Sequence, residues 1–170
     1  MPLPTSPSDT HPVTRLLPAL GAFCSILLVG LISEPFMGAS APLLVASMGA
    51  SAVILFCLPE SPLATPRAFV GGHIVCVLIG ISCAQWIPSI PLASALAVGG
   101  SILAMQATRC LHPPGGAAAL TCVVGGAQVT DAGFNFFLFP VGLNVAVMLG
   151  LAWLFGRLSE RLTRPDPPRD

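Results

Sequence analysis

The stretch Thr108-Arg109-Cys110-Leu111-His112-Pro113-Pro114-Gly115-Gly116-Ala117 separates two long apolar runs, Pro91–Thr108 and Pro113–Thr130. The residue before a proline avoids the helical region, so a helix arriving from Pro91 has to end near Leu111 or His112. Proline lacks an N–H and suits the first turn of a new helix, where no N–H partner is needed. The stretch therefore reads as a helix end, a break and a helix start.

Four more apolar runs flank this pair: Leu16–Ser33, Pro42–Leu58, Ala68–Ile87 and Phe136–Gly156. All six are between 17 and 21 residues long, and a bilayer-spanning helix needs about 20, within about 17–25. The expected turns are Glu34-Pro35, Pro59-Glu60-Ser61-Pro62, Pro88, Arg109–His112 and Asp131–Asn135. Small residues at helical spacing argue against strands. The fold class expected is an all-α polytopic transmembrane helix bundle of about six spans.

Composition agrees. Only 8% of the 170 residues are charged and 54% are hydrophobic, where soluble domains carry about 25% charged residues. Between Leu16 and Gly156 the charges are Glu34, Glu60, Arg67, Arg109 and Asp131. Such a chain is neither disordered nor a nucleic-acid binder, and its partner is the lipid bilayer. With the N-terminus placed inside, all seven arginines fall on one side of a six-span chain, the side that arginine favours in short loops. The expected organisation is a cytoplasmic segment over 1–15, a membrane domain over 16–158 and a short cytoplasmic tail over 159–170. The expected location is a bacterial inner (plasma) membrane with both termini cytoplasmic.

The first three runs resemble the last three. Gly49-Ala50-Ser51-Ala52-Val53-Ile54 parallels Gly115-Gly116-Ala117-Ala118-Ala119-Leu120, and Gly72 and Gly80 parallel Gly142 and Gly150. An odd number of spans per copy makes the copies face opposite ways, so two inverted three-helix repeats are expected. Small residues recur every fourth position at Gly72, Cys76, Gly80 and Ala84, at Ala93, Ala97 and Ser101, and at Gly142, Ala146 and Gly150. These ladders let membrane helices approach closely. They serve one chain or a homo-oligomer equally well.

At Pro113-Pro114-Gly115-Gly116 the glycines expose the first N–H groups of a helix, and the positive end of its dipole favours an anion. Arg109 and His112 stand beside it. The competing reading is a plain inner loop with nothing bound.

His112-Pro113-Pro114 followed by Gly115-Gly116-Ala117 resembles the signature of the HPP family of integral membrane proteins. Met48-Gly49-Ala50-Ser51-Ala52-Val53, Pro59-Glu60-Ser61-Pro62-Leu63-Ala64 with Pro66-Arg67, and Gly71-Gly72-His73 agree with it. The resemblance covers about residues 15 to 158. One departure is Cys110, where threonine or a similar residue is expected. A chloroplast member of that family is a nitrite transporter, which implies a transporter or channel for a small inorganic anion, nitrite first. The alternative is a non-transporting membrane sensor or assembly module.

The substrate-binding residues expected are His112, Pro113, Pro114, Gly115, Gly116, Gly49, Ser51, Arg109, His73 and Asn144. Polar groups inside a membrane bundle mark pathways, although His73 and Asn144 also serve as interhelical glue. The six cysteines and three histidines show no metal spacing, and no HExxH motif or nucleophile elbow is present. No enzyme, metal or cofactor is expected.

Overall fold

The computed structural model describes residues 12–163. The chain ends at 1–11 and 164–170, with most of the expected cytoplasmic segments, lie outside the described residues. Seven α-helices follow one another: α1 (Pro12–Met37), α2 (Ala41–Cys57), α3 (Pro66–Trp86), α4 (Ile90–Thr108), α5 (Pro113–Val124), α6 (Ala127–Ala132) and α7 (Leu143–Thr163). No strand occurs among the described residues. The molecule is the all-α membrane bundle expected.

Among the described residues, four stretches are long and apolar enough to cross a bilayer: Leu16–Cys57, Pro66–Trp86, Ile90–Thr108 and Phe137–Leu162. The first contains both α1 and α2, which turn at Gly38–Ser40. Polarity is arranged inside out. Leu20, Phe23, Leu27, Leu31, Leu96, Leu103 and Leu154 face outward, while Ser25, Ser33, Ser47, Ser51, His73, Ser101, His112, Thr121 and Asn144 are buried. Lipid solvates the apolar exterior, and Ser47, Ser51, His112, Thr121 and Asn144 find hydrogen-bond partners within the bundle.

Several boundaries differ from expectation. The first turn comes at Gly38, not at Glu34-Pro35, because a proline removes only one N–H bond and α1 continues one more turn. Gly38 then supplies a φ of +48°. The fifth run, expected to span over Pro113–Thr130, stops at Val124 after 12 helical residues. That is about 18 Å of helix against a hydrocarbon core of about 30 Å. Gly125-Gly126 ends it, Gly126 at φ +76°, and the short α6 follows. The last run opens with a kinked helical segment, Phe137–Gly142, and α7 then extends to Thr163, beyond the expected membrane domain.

The helix at Pro113 starts on its proline as expected, while α3 starts at Pro66, two residues before the expected run Ala68–Ile87. At α3, Thr65 also caps the helix, its hydroxyl accepting from the Ala68 N–H at 3.2 Å. The ladder on α3 packs within the chain. A Cβ on Gly80 would lie 2.5 Å from the Ala119 carbonyl oxygen, and one on Gly72 would lie 2.6 Å from the His112 Cβ. Ala93, Ala97 and Ser101 on α4 are buried as well. The ladder on α7 leaves Ala146 and Gly150 exposed. Close approach of α3 and α5 brings the two histidine-bearing motifs together.

Candidate functional site

The His112 ring sits where α2, α3 and the α4–α5 connection meet, fully buried. Its Nδ1 lies 2.9 Å from the Leu63 carbonyl. A carbonyl only accepts, so Nδ1 carries the proton. Nε2 lies 3.0 Å from the Ser51 hydroxyl. The Ser51 hydroxyl also stands 3.3 Å from the Ser47 carbonyl, so it has a second acceptor one helical turn back. Ser47 in turn donates to the Pro114 carbonyl at 2.7 Å. Two hydroxyls, one turn apart on α2, thus tie that helix to the His112-Pro113-Pro114 segment.

His73 lies beside it. Its Nδ1 is 2.9 Å from the Phe69 carbonyl one turn earlier, and its Nε2 is buried with no partner. The two imidazole centroids are 5.1 Å apart, tilted by 47°. Phe69 meets both edge to face, at 5.0 Å from His73 and 5.2 Å from His112. The result is a buried knot of two imidazoles, two hydroxyls and one phenyl ring. Glu34, Glu60, Arg67, Arg109, Asp131, Arg157, Glu160 and Arg161 are exposed, away from the knot's interior.

The α5 start is close-packed. A Cβ on Gly115 would meet the Cys76 sulfur at 2.9 Å and the Gly72 carbonyl oxygen at 3.0 Å. The Gly115 N–H is already bonded to the His112 carbonyl at 2.9 Å. Gly116 is half-buried with open space beside it. Pro114 is buried and Pro113 exposed.

The remaining expected residues lie elsewhere. Arg109 caps α4 in a left-handed conformation, φ 54°, with its side chain exposed. Arg67 donates from Nη2 to the Thr108 carbonyl at 2.8 Å, so Arg67 and Arg109 share one end of the bundle. Asn144 makes no hydrogen bond to the knot: it donates from Nδ2 to the Ser33 hydroxyl at 2.8 Å, joining α7 to α1, and its Oδ1 is unpartnered. Gly49 stands in the middle of α2 with open space beside it, whereas Gly115 stands in the first turn of α5. The two glycines expected to correspond therefore occupy different places in their helices. Ser47, Leu63 and Phe69 were not expected at the site. Ser47 and Phe69 each stand four residues before a site residue, on the same helix face, which is the signal that marks them.

The motif that carries the knot can be compared with known proteins. A family model described as "HPP, transmembrane region" matches residues 7–165. The chain belongs to the HPP family. Two transmembrane proteins of Dictyostelium discoideum are similar to this HPP chain. One is 37% identical over 151 residues, covering 86% of this chain and 53% of the relative. The other is 37% identical over 126 residues, covering 72% of this chain and 40% of the relative. The HPP chain spans about half the length of the curated relatives it matches. No solved structure matches it.

Proposed function

We propose that the protein moves a small inorganic anion across the membrane, with nitrite the first choice. The observation that carries this reading is the buried His73–His112–Ser51 knot, polar within an apolar bundle and with one ring nitrogen, His73 Nε2, unmet. A buried acceptor without a partner costs about 1–3 kcal/mol, and polar groups retained inside a membrane bundle mark transport routes. His73 Nε2 becomes a donor to a small anion once it takes up a proton and loses that hold when the proton leaves, which suits binding weak enough for release.

Two further points support the transporter reading. α1 packs on α2 as α4 packs on α5, and α7 packs on α1 as α3 packs on α4. This order suits two inverted halves, although α3–α5 is more closely packed than its counterpart α2–α7. The arginine pattern supports an inner (plasma) membrane with the Arg67 and Arg109 end cytoplasmic.

One observation favours the alternative, a non-transporting sensor or assembly module: both nitrogens of His112 already have partners inside the chain. Uptake of nitrite, nitrate and chloride into proteoliposomes separates the two. Nitrite uptake above that of empty vesicles, weakened in His112→Ala, supports transport. Uptake equal to empty vesicles for all three anions overturns it.

A further inference from the structure

We infer that the anion reaches His73 through the cavity between α3 and α7 and is bound there together with one proton. This inference rests on the transport reading and adds a route and a coupling ion.

A cavity of about 260 Å³ is lined by Val70, Phe137, Val141, Val145 and Ala146, among other apolar residues, and by His73. It is roomy for a triatomic anion. His73 is the one polar side chain in its lining. The ring is held by its Nδ1–H on the Phe69 carbonyl, so rotation is restrained and Nε2 is the free nitrogen. Neutral, that nitrogen is an acceptor facing no donor. Protonated without a companion, it is a buried cation facing no acceptor. Proton and anion arriving together satisfy both. The Nε2 lone pair takes the proton, the new N–H donates to an oxygen of the anion, and the charges cancel.

The surroundings supply no competing group. α3 itself carries His73, Cys76 and Cys83, with Arg67 exposed in its first turn. On the elements packed against α3, the titratable groups are His112 and Cys110 in the α4–α5 connection, Cys122 on α5, Asp131 on α6 and, on α7, Arg157, Glu160 and Arg161. Arg109, at the end of α4, is exposed, as are Asp131 and the three charged groups of α7. His112 is the one in ring contact with His73. Its Nε2 faces Ser51, whose hydroxyl can donate to that nitrogen or turn to the Ser47 carbonyl. His112 can therefore take up a proton at that nitrogen without losing its bond to Ser51.

The test is proton uptake measured alongside anion uptake, in weakly buffered proteoliposomes with an internal pH dye, using nitrite at pH 7. The expected result is about one proton entering per nitrite, above the leak of empty vesicles. His73→Gln is expected to lower nitrite uptake at least tenfold and to abolish the linked proton signal. Because that variant could misfold, Ala146→Leu is the second. It fills the cavity from the exposed face of α7, leaves His73 intact, and is expected to lower uptake at least tenfold with an unchanged melting temperature. Nitrite uptake without protons, or uptake insensitive to Ala146→Leu, overturns the inference and leaves transport standing. Absence of uptake for nitrite, nitrate and chloride overturns both. Histidine-ring 15N NMR in nanodiscs gives a readout apart from transport: nitrite is expected to convert the His73 Nε2 signal from acceptor to N–H, and an unchanged signal at saturating nitrite overturns the inference.

Discussion

Ser51 and His112, 61 positions apart in the chain, meet at 3.0 Å with both side chains fully buried. The contact joins the middle of α2 to the residue that precedes α5. It also fixes which nitrogen of the ring is available, since the other nitrogen is committed to Leu63. Interhelical hydrogen bonds in membranes average only about 0.6 kcal/mol, up to about 1.7 kcal/mol. Leaving a buried partner unsatisfied costs more than the bond itself contributes.

Ser51→Ala is therefore expected to destabilise the bundle by about 1–2 kcal/mol, because it strands His112 Nε2. Ser47→Ala is expected to cost less, below about 1 kcal/mol, because the Pro114 carbonyl loses a donor but no buried nitrogen is stranded. Unfolding in detergent or nanodiscs checks the order. A larger loss for Ser47→Ala than for Ser51→Ala would show that the α2–Pro114 tie, not the imidazole, holds this junction.

Glycines on α3 divide sharply from those on α7. At Gly80 the atoms that a Cβ would strike belong to the Ala119 backbone, which cannot swing aside. At Gly150 there is open space. Gly80→Ala is expected to cost about 1–3 kcal/mol by overpacking. Gly150→Ala is expected to be neutral or to stabilise by up to about 1 kcal/mol, because alanine is the better helix former and has room there. Equal melting temperatures for the two variants would contradict the α3–α5 packing.

The start of α5 was legible because proline acts locally at His112-Pro113, and the start of α3 was placed two residues late, at Ala68, because the run was bounded by its charge at Arg67 and not by Thr65-Pro66. Helix ends were less so. An average over the run Pro113–Thr130 remains apolar through Gly125-Gly126, yet the backbone breaks there because Gly126 adopts a positive φ. The proline at 35 misled in the opposite sense, since one missing N–H does not stop a helix. The His112 motif was legible as a helix break, and its meeting with Ser51 brought two expected site residues together. The partner of its Nδ1 was not legible. Leu63 contributes a main-chain carbonyl from a short turn, and a carbonyl leaves no mark in side-chain identity.

The topology has a direct test. Arg67 bonds to the Thr108 carbonyl, next to Arg109, so both lie at the same end of the bundle. In a background with all six native cysteines replaced, single cysteines at 67 and 109 are expected to label from the same face of the membrane. Cysteines at 34, 88 and 131 are expected to label from the other. Labelling of 67 and 109 from opposite faces would remove the six-span arrangement, the inverted halves and the proposed orientation together.

Arg109 is exposed beside the motif. If it attracts anions to the inner mouth, Arg109→Gln lowers nitrite uptake at low ionic strength and matters little at high salt. At about 0.15 M salt the screening length is about 8 Å, which removes most of a surface charge's reach. A several-fold loss in 10 mM salt that shrinks to none in about 0.3 M salt is the expected pattern for such steering. A salt-independent loss would point to the left-handed cap of α4 instead, where Arg109 has a φ of 54°.

Gly49 and Gly115 look equivalent in the sequence, and the structure gives them different work. Gly115 lies against the Cys76 sulfur and the Gly72 carbonyl, so Gly115→Leu has nowhere to place its side chain and is expected to prevent folding. Gly49 has open space, two residues before Ser51 on the same helix. A Cβ there meets no neighbour within 4 Å, and leucine ranks just below alanine as a helix former, well above glycine. Gly49→Leu is thus expected to express and melt like the wild-type protein or slightly above it. Fluorescence-detected size exclusion of both variants, with nitrite uptake for those that fold, is the measurement. If Gly49→Leu folds and loses uptake, the open side of α2 belongs to the route of the anion. If it folds and transports normally, Gly49 is removed from the site, and the route lies wholly on the α3 side of the knot.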